Sequence, residues 1–134
     1  MKRFVLVEVK KPRNSELESD IEWMCECLGI ITPRDRERTS TKILTVMLRA
    51  AKDDVPLSSD DIANRVGITR GTAVHHIKRY MGSGIIVKHR SAYELRTHSL
   101  RETLDEIELD MERTIKRMKQ IAEQIDEEMG LRDD

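Results

Sequence analysis

Most hydrophobic positions in this chain fall at helical spacing. Leu17, Ile21, Met24 and Leu28 recur every three or four residues, and Gly29 follows as a stop. Ser15 with Glu18 has the form of a capping box ahead of them. Thr32-Pro33-Arg34-Asp35 repeats a start signal, with a cap, a first-turn proline and an acid, and predicts a helix through Ile43, Val46, Met47 and Ala50 that ends near Ala51. Ser58 and Asp61 then cap a short helix through Val66, and Gly67 ends it. Thr69 or Arg70 opens the next helix, which runs to about Met81 before Gly82 and Gly84 terminate it.

Two stretches break the helical rhythm. Phe4–Val9, "FVLVEV", is rich in β-branched residues and reads as a strand. "IIVKH" and "AYELR" flank Arg90 and Ser91 and read as a hairpin whose turn lacks Asn-Gly chemistry. A short extended link at Val55–Leu57 precedes the Ser58 cap.

The last helix is the longest. Ser99 caps it, with Glu102 three residues on. Apolar or small residues recur at Leu100, Leu104, Ile107, Met111, Ile115, Met118, Ala122, Ile125 and Met129. Their spacing averages about 3.6 residues, the period of an undistorted helix, whereas a strict parallel zipper keeps 3.5. Such a stripe with no evident domain of its own to cover it is an association surface. The expectation is a homodimer through this helix, joined by Leu17–Leu28, with antiparallel or splayed packing. The contact residues are Leu100, Leu104, Ile107, Met111, Ile115, Met118 and Ile125. The tail folding back on its own domain is the alternative.

The order of elements is helix, short strand, helix, tight turn, helix, hairpin. The expected fold is mainly α with a small β-hairpin wing, a winged helix-turn-helix domain plus a long C-terminal dimerisation helix. Three regions follow: 1–31, an N-terminal strand and helix that could add to the dimer; 32–97, the winged helix-turn-helix; and 98–134, the amphipathic tail. The role of the N-terminal strand stays open, between adding to the sheet of the domain and pairing across the dimer. Within the turn, small Ala63 lets the two helices approach, Gly67 supplies a left-handed turn, and Ile68 points inward. Ala73, Val74, Ile77 and Tyr80 form the buried stripe of the helix that follows.

Charge sharpens the picture. The net charge of -1 conceals a division. Residues 1–57 carry 11 Lys/Arg against 10 Asp/Glu, residues 58–97 carry 7 against 3, and residues 98–134 carry 6 against 12. The basic middle points to a polyanionic partner, and the acidic tail is a poor contact for one.

The residues Ala63, Gly67, Ile68, Thr69 and Thr72, followed by "HIKRY" at His76–Tyr80 and "GII" at Gly84–Ile86, resemble ArsR- and MarR-type winged-helix transcription regulators. Those families carry A-x-x-x-G-[LI]-[ST]-x-x-T, a following H-L-K-x-L and a closing G-L-[VI]. The resemblance covers about Thr39 to Arg96. It implies a helix, 70–81, that enters the major groove of double-stranded DNA, and a wing along the backbone or minor groove.

The residues off the buried stripe are Arg70, Gly71, Thr72, His75, Lys78 and Arg79. Arg70 and His75 are the candidates for base edges, and Lys78 and Arg79 for phosphates. Thr69 joins them at the helix start, and Lys88, His89, Arg90 and Ser91 form the wing tip. Ser59 could present its hydroxyl and backbone N–H to a phosphate. His76 is expected to pack inward.

Other chemistry is sparse. Cys25 and Cys27 form a C-x-C pair, but neighbours two apart on a helix point to nearly opposite sides, so buried small apolar residues are favoured over a metal or redox site. No cofactor is expected. No phosphate loop, nucleophile elbow, zinc-protease motif or paired carboxylates appear, and the expected function is not enzymatic. No apolar run approaches the ~20 residues of a membrane span, and a cytoplasmic protein is expected. The leading reading is a dimeric, sequence-specific transcription regulator with an unknown effector. The alternatives are a winged-helix module for protein assembly and a nonspecific, chromatin-type DNA binder.

Overall fold

A computed structural model describes residues 3–11, 13, 16–31 and 38–131. Five helices and one hairpin follow in chain order: α1 Leu17–Cys27, α2 Thr39–Lys52, α3 Ser59–Val66, α4 Arg70–Ser83, β1 Ile86–His89, β2 Ala92–Leu95 and α5 Leu100–Met129. The protein is mainly helical, with a two-stranded antiparallel wing and a long C-terminal helix, as expected from the pattern.

The helix ends follow local chemistry. Ser58 caps α3 by accepting from the Asp61 N–H, and the Asp61 carboxylate accepts the Ser58 N–H in return. Hydrogen bonding from the Ser58 backbone N–H first, and from the Ser58 hydroxyl second, holds the Asp61 carboxyl below the ordinary 3.8. Gly67 closes α3 in a left-handed conformation at φ 81°. Thr69 then caps α4 through the Thr72 N–H, at 3.2 Å. Ser99 caps α5 through the Glu102 N–H, at 3.1 Å. These caps each lie within three residues of their partners, which is why the sequence displays them.

Some boundaries differ from expectation. The α2 start signal at Thr32–Asp35 lies outside the described residues, but α2 begins at Thr39, because Arg38 is left-handed at φ 55° and interrupts any helix there. Ser15 is also outside them, and the N-cap of α1 is Glu16, which makes no side-chain capping bond. Gly82 sits inside the last turn of α4, and Gly84 alone ends the helix.

The core joins all three expected regions. Ile21 and Cys25 from α1, Ile43, Leu44 and Met47 from α2, Ile62 and Ala63 from α3, and Ala73, Ile77 and Tyr80 from α4 are buried together. The hairpin adds Ile86, Tyr93 and Leu95. Its register pairs Ile86 with Leu95 and His89 with Ala92, leaving Arg90 and Ser91 as the turn. Arg90 takes the positive φ, 62°, that a two-residue turn demands of a residue other than glycine. The extended link contributes a single-residue third rung: Leu57 and Tyr93 exchange backbone hydrogen bonds of 2.9 and 2.7 Å.

The "FVLVEV" strand is not formed. Phe4–Val9 has no regular secondary structure and is tied at separate points instead. The Arg3 N–H donates to Gly82 O, the Val7 N–H to Cys27 O, and the Trp23 indole to Val9 O. The β-branched residues favour a strand, but the segment's partners are the carbonyls at two helix ends and the Trp23 indole, not a sheet edge.

The first turns of α5 lie against the domain, contrary to the expectation of a stripe without a domain to cover it. Ile107 is buried in the core, and Leu100, Leu104 and Met111 pack against it. Two polar links fix this docking. The Arg96 guanidinium, just after β2, donates to Asp110 at 2.7 Å and lies 3.6 Å from Glu106. The Thr103 hydroxyl accepts from the Thr97 N–H, with the two hydroxyls 2.9 Å apart. Gly84 completes the seat: a Cβ there would meet Arg96 Nη1 and Ile107 Cγ1 at 3.4 Å. Beyond Met111 the helix leaves the domain, and Ile115, Met118, Ile125 and Met129 are exposed.

Candidate nucleic-acid interface

α4 has two faces set by its sequence. Ala73, His76, Ile77 and Tyr80 turn inward, with Val74 half-buried at the edge. His76 pairs its Nδ1 with the buried Ser40 hydroxyl at 3.1 Å, so it is part of the packing, as expected. Tyr80 donates its hydroxyl proton to Ser40 O at 2.6 Å. With that proton committed, the Cys25 thiol, 3.3 Å away, is the donor to the phenol oxygen.

Gly71, His75 and Lys78 lie along the opposite, exposed side, four and three residues apart. Thr72 is exposed beside them, its hydroxyl accepting from that of Thr69 at 2.9 Å. Gly71 is informative. A Cβ at this position would meet nothing within 4 Å. The chain itself has no use for a glycine there, and glycine costs about 1 kcal/mol against alanine inside a helix.

The expected cations differ in their freedom. Lys78 is exposed. Arg70 is 70 % exposed, with Nε donating to the Ser59 hydroxyl at 3.3 Å and lying 3.8 Å from Asp60. The exposed ion pair adds little stability but limits where the guanidinium can swing. Two expectations change. Ser59 is buried and serves Arg70, so its hydroxyl is not presented to a phosphate. Arg79 is half-buried and donates to Gly29 O at 3.2 Å, clamping α4 to the end of α1.

At the wing, Lys88, His89, Arg90 and Ser91 are all exposed. The Lys88 ammonium lies 5.8 Å from the centre of the Tyr93 ring, a cation–π contact that orients the strand's outer charge. No helix among the described residues is long and apolar enough to cross a membrane.

The C-x-C pair divides as its spacing implies. Cys25 is fully buried, whereas Cys27 is half-buried, and desolvation pushes its thiol up from 9.0. A thiol held protonated is a weak metal ligand. Among the described residues, no three His, Cys, Asp or Glu side chains gather into a metal-sized cluster.

Residues 36–87 match the winged helix-turn-helix DNA-binding family. The matched stretch holds α2, α3, α4 and the start of β1, the part that carries the two-faced α4. The rest of the wing and all of α5 lie outside it. The described elements have the winged helix-turn-helix fold, and this stretch of them is similar to the DNA-binding family. The comparison with curated proteins gives no match.

Sequence reasoning missed several residues that shape the site. Asp60 steadies Arg70, and Asp110 pins α5 to Arg96. Ile121, exposed between Met118 and Ala122, widens the distal stripe. Ile121 was visible in the pattern as an apolar neighbour of the stripe. The partners of Asp60 and Asp110 depend on how distant segments pack, which no local spacing records.

Proposed function

We propose that this protein is a homodimeric transcription regulator that reads double-stranded DNA through α4. In this reading α4 enters the major groove, with Arg70 and His75 against base edges and Lys78 on a phosphate. Thr69, Gly71 and Thr72 line the approach of the helix start, and Lys88, His89, Arg90 and Ser91 follow the backbone or minor groove. The finer placement among ArsR- or MarR-type regulators rests on the motif residues from Ala63 to Ile86. Dimerisation would occur through the outer part of α5, since Leu100, Leu104, Ile107 and Met111 already serve the domain's own packing.

The observation that carries the reading is Gly71 on the exposed face of α4, in space that the chain leaves empty, between cations that the domain does not cover. Selection of bound duplexes from a random pool is the test. An enriched palindrome with half-sites about one turn apart, ~34 Å, supports the regulator. Equal loss to any competitor duplex would point to a nonspecific binder. Absence of duplex binding at 50 mM salt would overturn the reading.

The exposed distal stripe of α5 favours one other reading, an assembly module that docks a different protein there. That reading predicts partner binding untouched by the double variant Arg70→Ala with Lys78→Ala.

A further inference from the structure

The outer part of α5 carries two charge blocks on one rod. Residues 112–119 hold Arg113, Lys116, Arg117 and Lys119 against the single acid Glu112. Residues 120–128 hold Glu123, Asp126, Glu127 and Glu128 and no base. Ile115, Met118, Ile121, Ile125 and Met129 run along the same stretch with about half or more of their surface exposed. Beside its root lies an open groove of about 630 Å³, lined by Leu6, Leu28, Leu104, Ile107, Met111 and Ile115. Leu131, just past the helix end, is 61 % exposed.

We propose that this segment pairs antiparallel with the same segment of a second copy, centred near Gln120, and that Met129 and Leu131 of the second copy fill the groove. The inference rests on the homodimer reading above and specifies its geometry.

Three observations converge on that arrangement. The first is charge. A parallel, in-register pair sets four bases against four bases and four acids against four acids. The antiparallel pair sets Arg113 at the level of Glu127 and Arg117 at the level of Glu123. Packed helices lie about 8–10 Å apart, close to the ~8 Å Debye length at physiological ionic strength, so the contrast between blocks is only partly screened.

The second is volume. Met111, Ile115, Met118, Ala122, Ile125 and Met129 alternate by four and three residues, a packing seam. In the antiparallel pair Met111 meets Met129, Ile115 meets Ile125, and large Met118 meets small Ala122. The parallel pair would set Ala122 on Ala122 and leave a void, which a close-packed interface disfavours.

The third is reach. Centring on Gln120 brings Met129 level with Met111 and Leu131 level with Leu109, beside the groove, whose lining includes Met111 and Ile115. The apolar end of the rod thus meets a hollow whose apolar side chains are joined by Glu108, Glu112, Lys116 and Lys119. Ile107, the anchor in each domain, lies about 20 Å from the centre at 1.5 Å per residue. The two domains then stand ~40 Å apart along the rod, comparable with the ~34 Å between adjacent half-sites on one face of a duplex.

Cysteine cross-linking tests the arrangement in the full chain. Ile115→Cys and Ile125→Cys are made separately in a Cys27→Ser background, with Cys25 buried, and both sites are exposed enough to spare the fold. On mild oxidation, the co-expressed pair should give a covalent dimer, and each variant alone should give none. Self-cross-linking of either variant overturns the antiparallel pair. A dimer by sedimentation that the mixed pair fails to cross-link overturns it as well. A monomer by sedimentation at micromolar concentration removes the homodimer itself, while duplex selection reports separately on DNA reading.

Discussion

α4 and α5 are both amphipathic, and both bury part of one face in the same core, but what they leave outside differs. α4 exposes Gly71, His75 and Lys78, a basic surface with a small residue at its N-terminal end. Outer α5 exposes Ile115, Met118, Ile121 and Ile125, an apolar surface flanked by charge blocks of opposite sign. The stripe that faces the core looks alike in the two helices. The uncovered face tells them apart: one is polar and basic, the other aliphatic.

The comparison breaks first at the apolar face. Met118→Asp with Ile125→Asp should convert a dimer to a monomer in sedimentation while thermal unfolding of the domain stays unchanged. DNA affinity should then fall on the order of 10²-fold, because the two half-sites no longer bind as one unit. An unchanged dimer would mean that the outer stripe of α5 does not join the copies.

The basic face comes next. Arg70→Ala with Lys78→Ala should leave the dimer intact and lower affinity for a selected duplex roughly 10- to 100-fold, in line with about 1–3 kcal/mol for a base contact. The slope of log affinity against log salt should flatten by about 1 for the lost phosphate contact. Fluorescence anisotropy between 50 and 200 mM salt measures both.

Gly71→Ala separates fold from recognition. It should raise stability by about 1 kcal/mol in urea unfolding, since only helix propensity changes, and yet weaken DNA binding several-fold. Gly82→Ala, also in α4 with open space around it, should bring the same stabilisation without the loss. Equal DNA binding by both variants would sever Gly71 from recognition.

The smallest effect concerns the helix that braces α4. The Asp61 carboxyl is held below its ordinary value by its bonds to Ser58. A depressed value in the folded state stabilises the fold above the unfolded value, and the benefit fades as pH falls through the folded one. Unfolding of the wild type should therefore grow easier below about pH 4, and Asp61→Asn should show a flatter profile over that window.

The sequence displayed what forms within a few residues. The Ser58–Asp61 box, the turn at Gly67, the Thr69 cap and the Ser99 cap are all short-range hydrogen bonds or backbone preferences, and the structure has each of them. The buried stripe of α4 was equally legible. What stayed hidden required distant segments to meet. Arg79 looked like a free cation until Gly29 O, fifty residues earlier, took its guanidinium. Ser59 looked like a phosphate contact until Arg70 engaged it. Periodicity in α5 marked one continuous face correctly, but it carried no sign that the domain covers the face only as far as Met111. "FVLVEV" shows the same limit, because β-branched residues favour a strand but do not supply a neighbour for it.

The Arg96–Asp110 pair reaches beyond stability. Arg96 directly follows β2, and Asp110 lies three turns into α5. The hairpin cannot swing unless the helix tilts with it or the ion pair opens. The ion pair therefore links the orientation of the α5 rod, which runs roughly 28 Å on from Asp110 to Met129, to that of the wing.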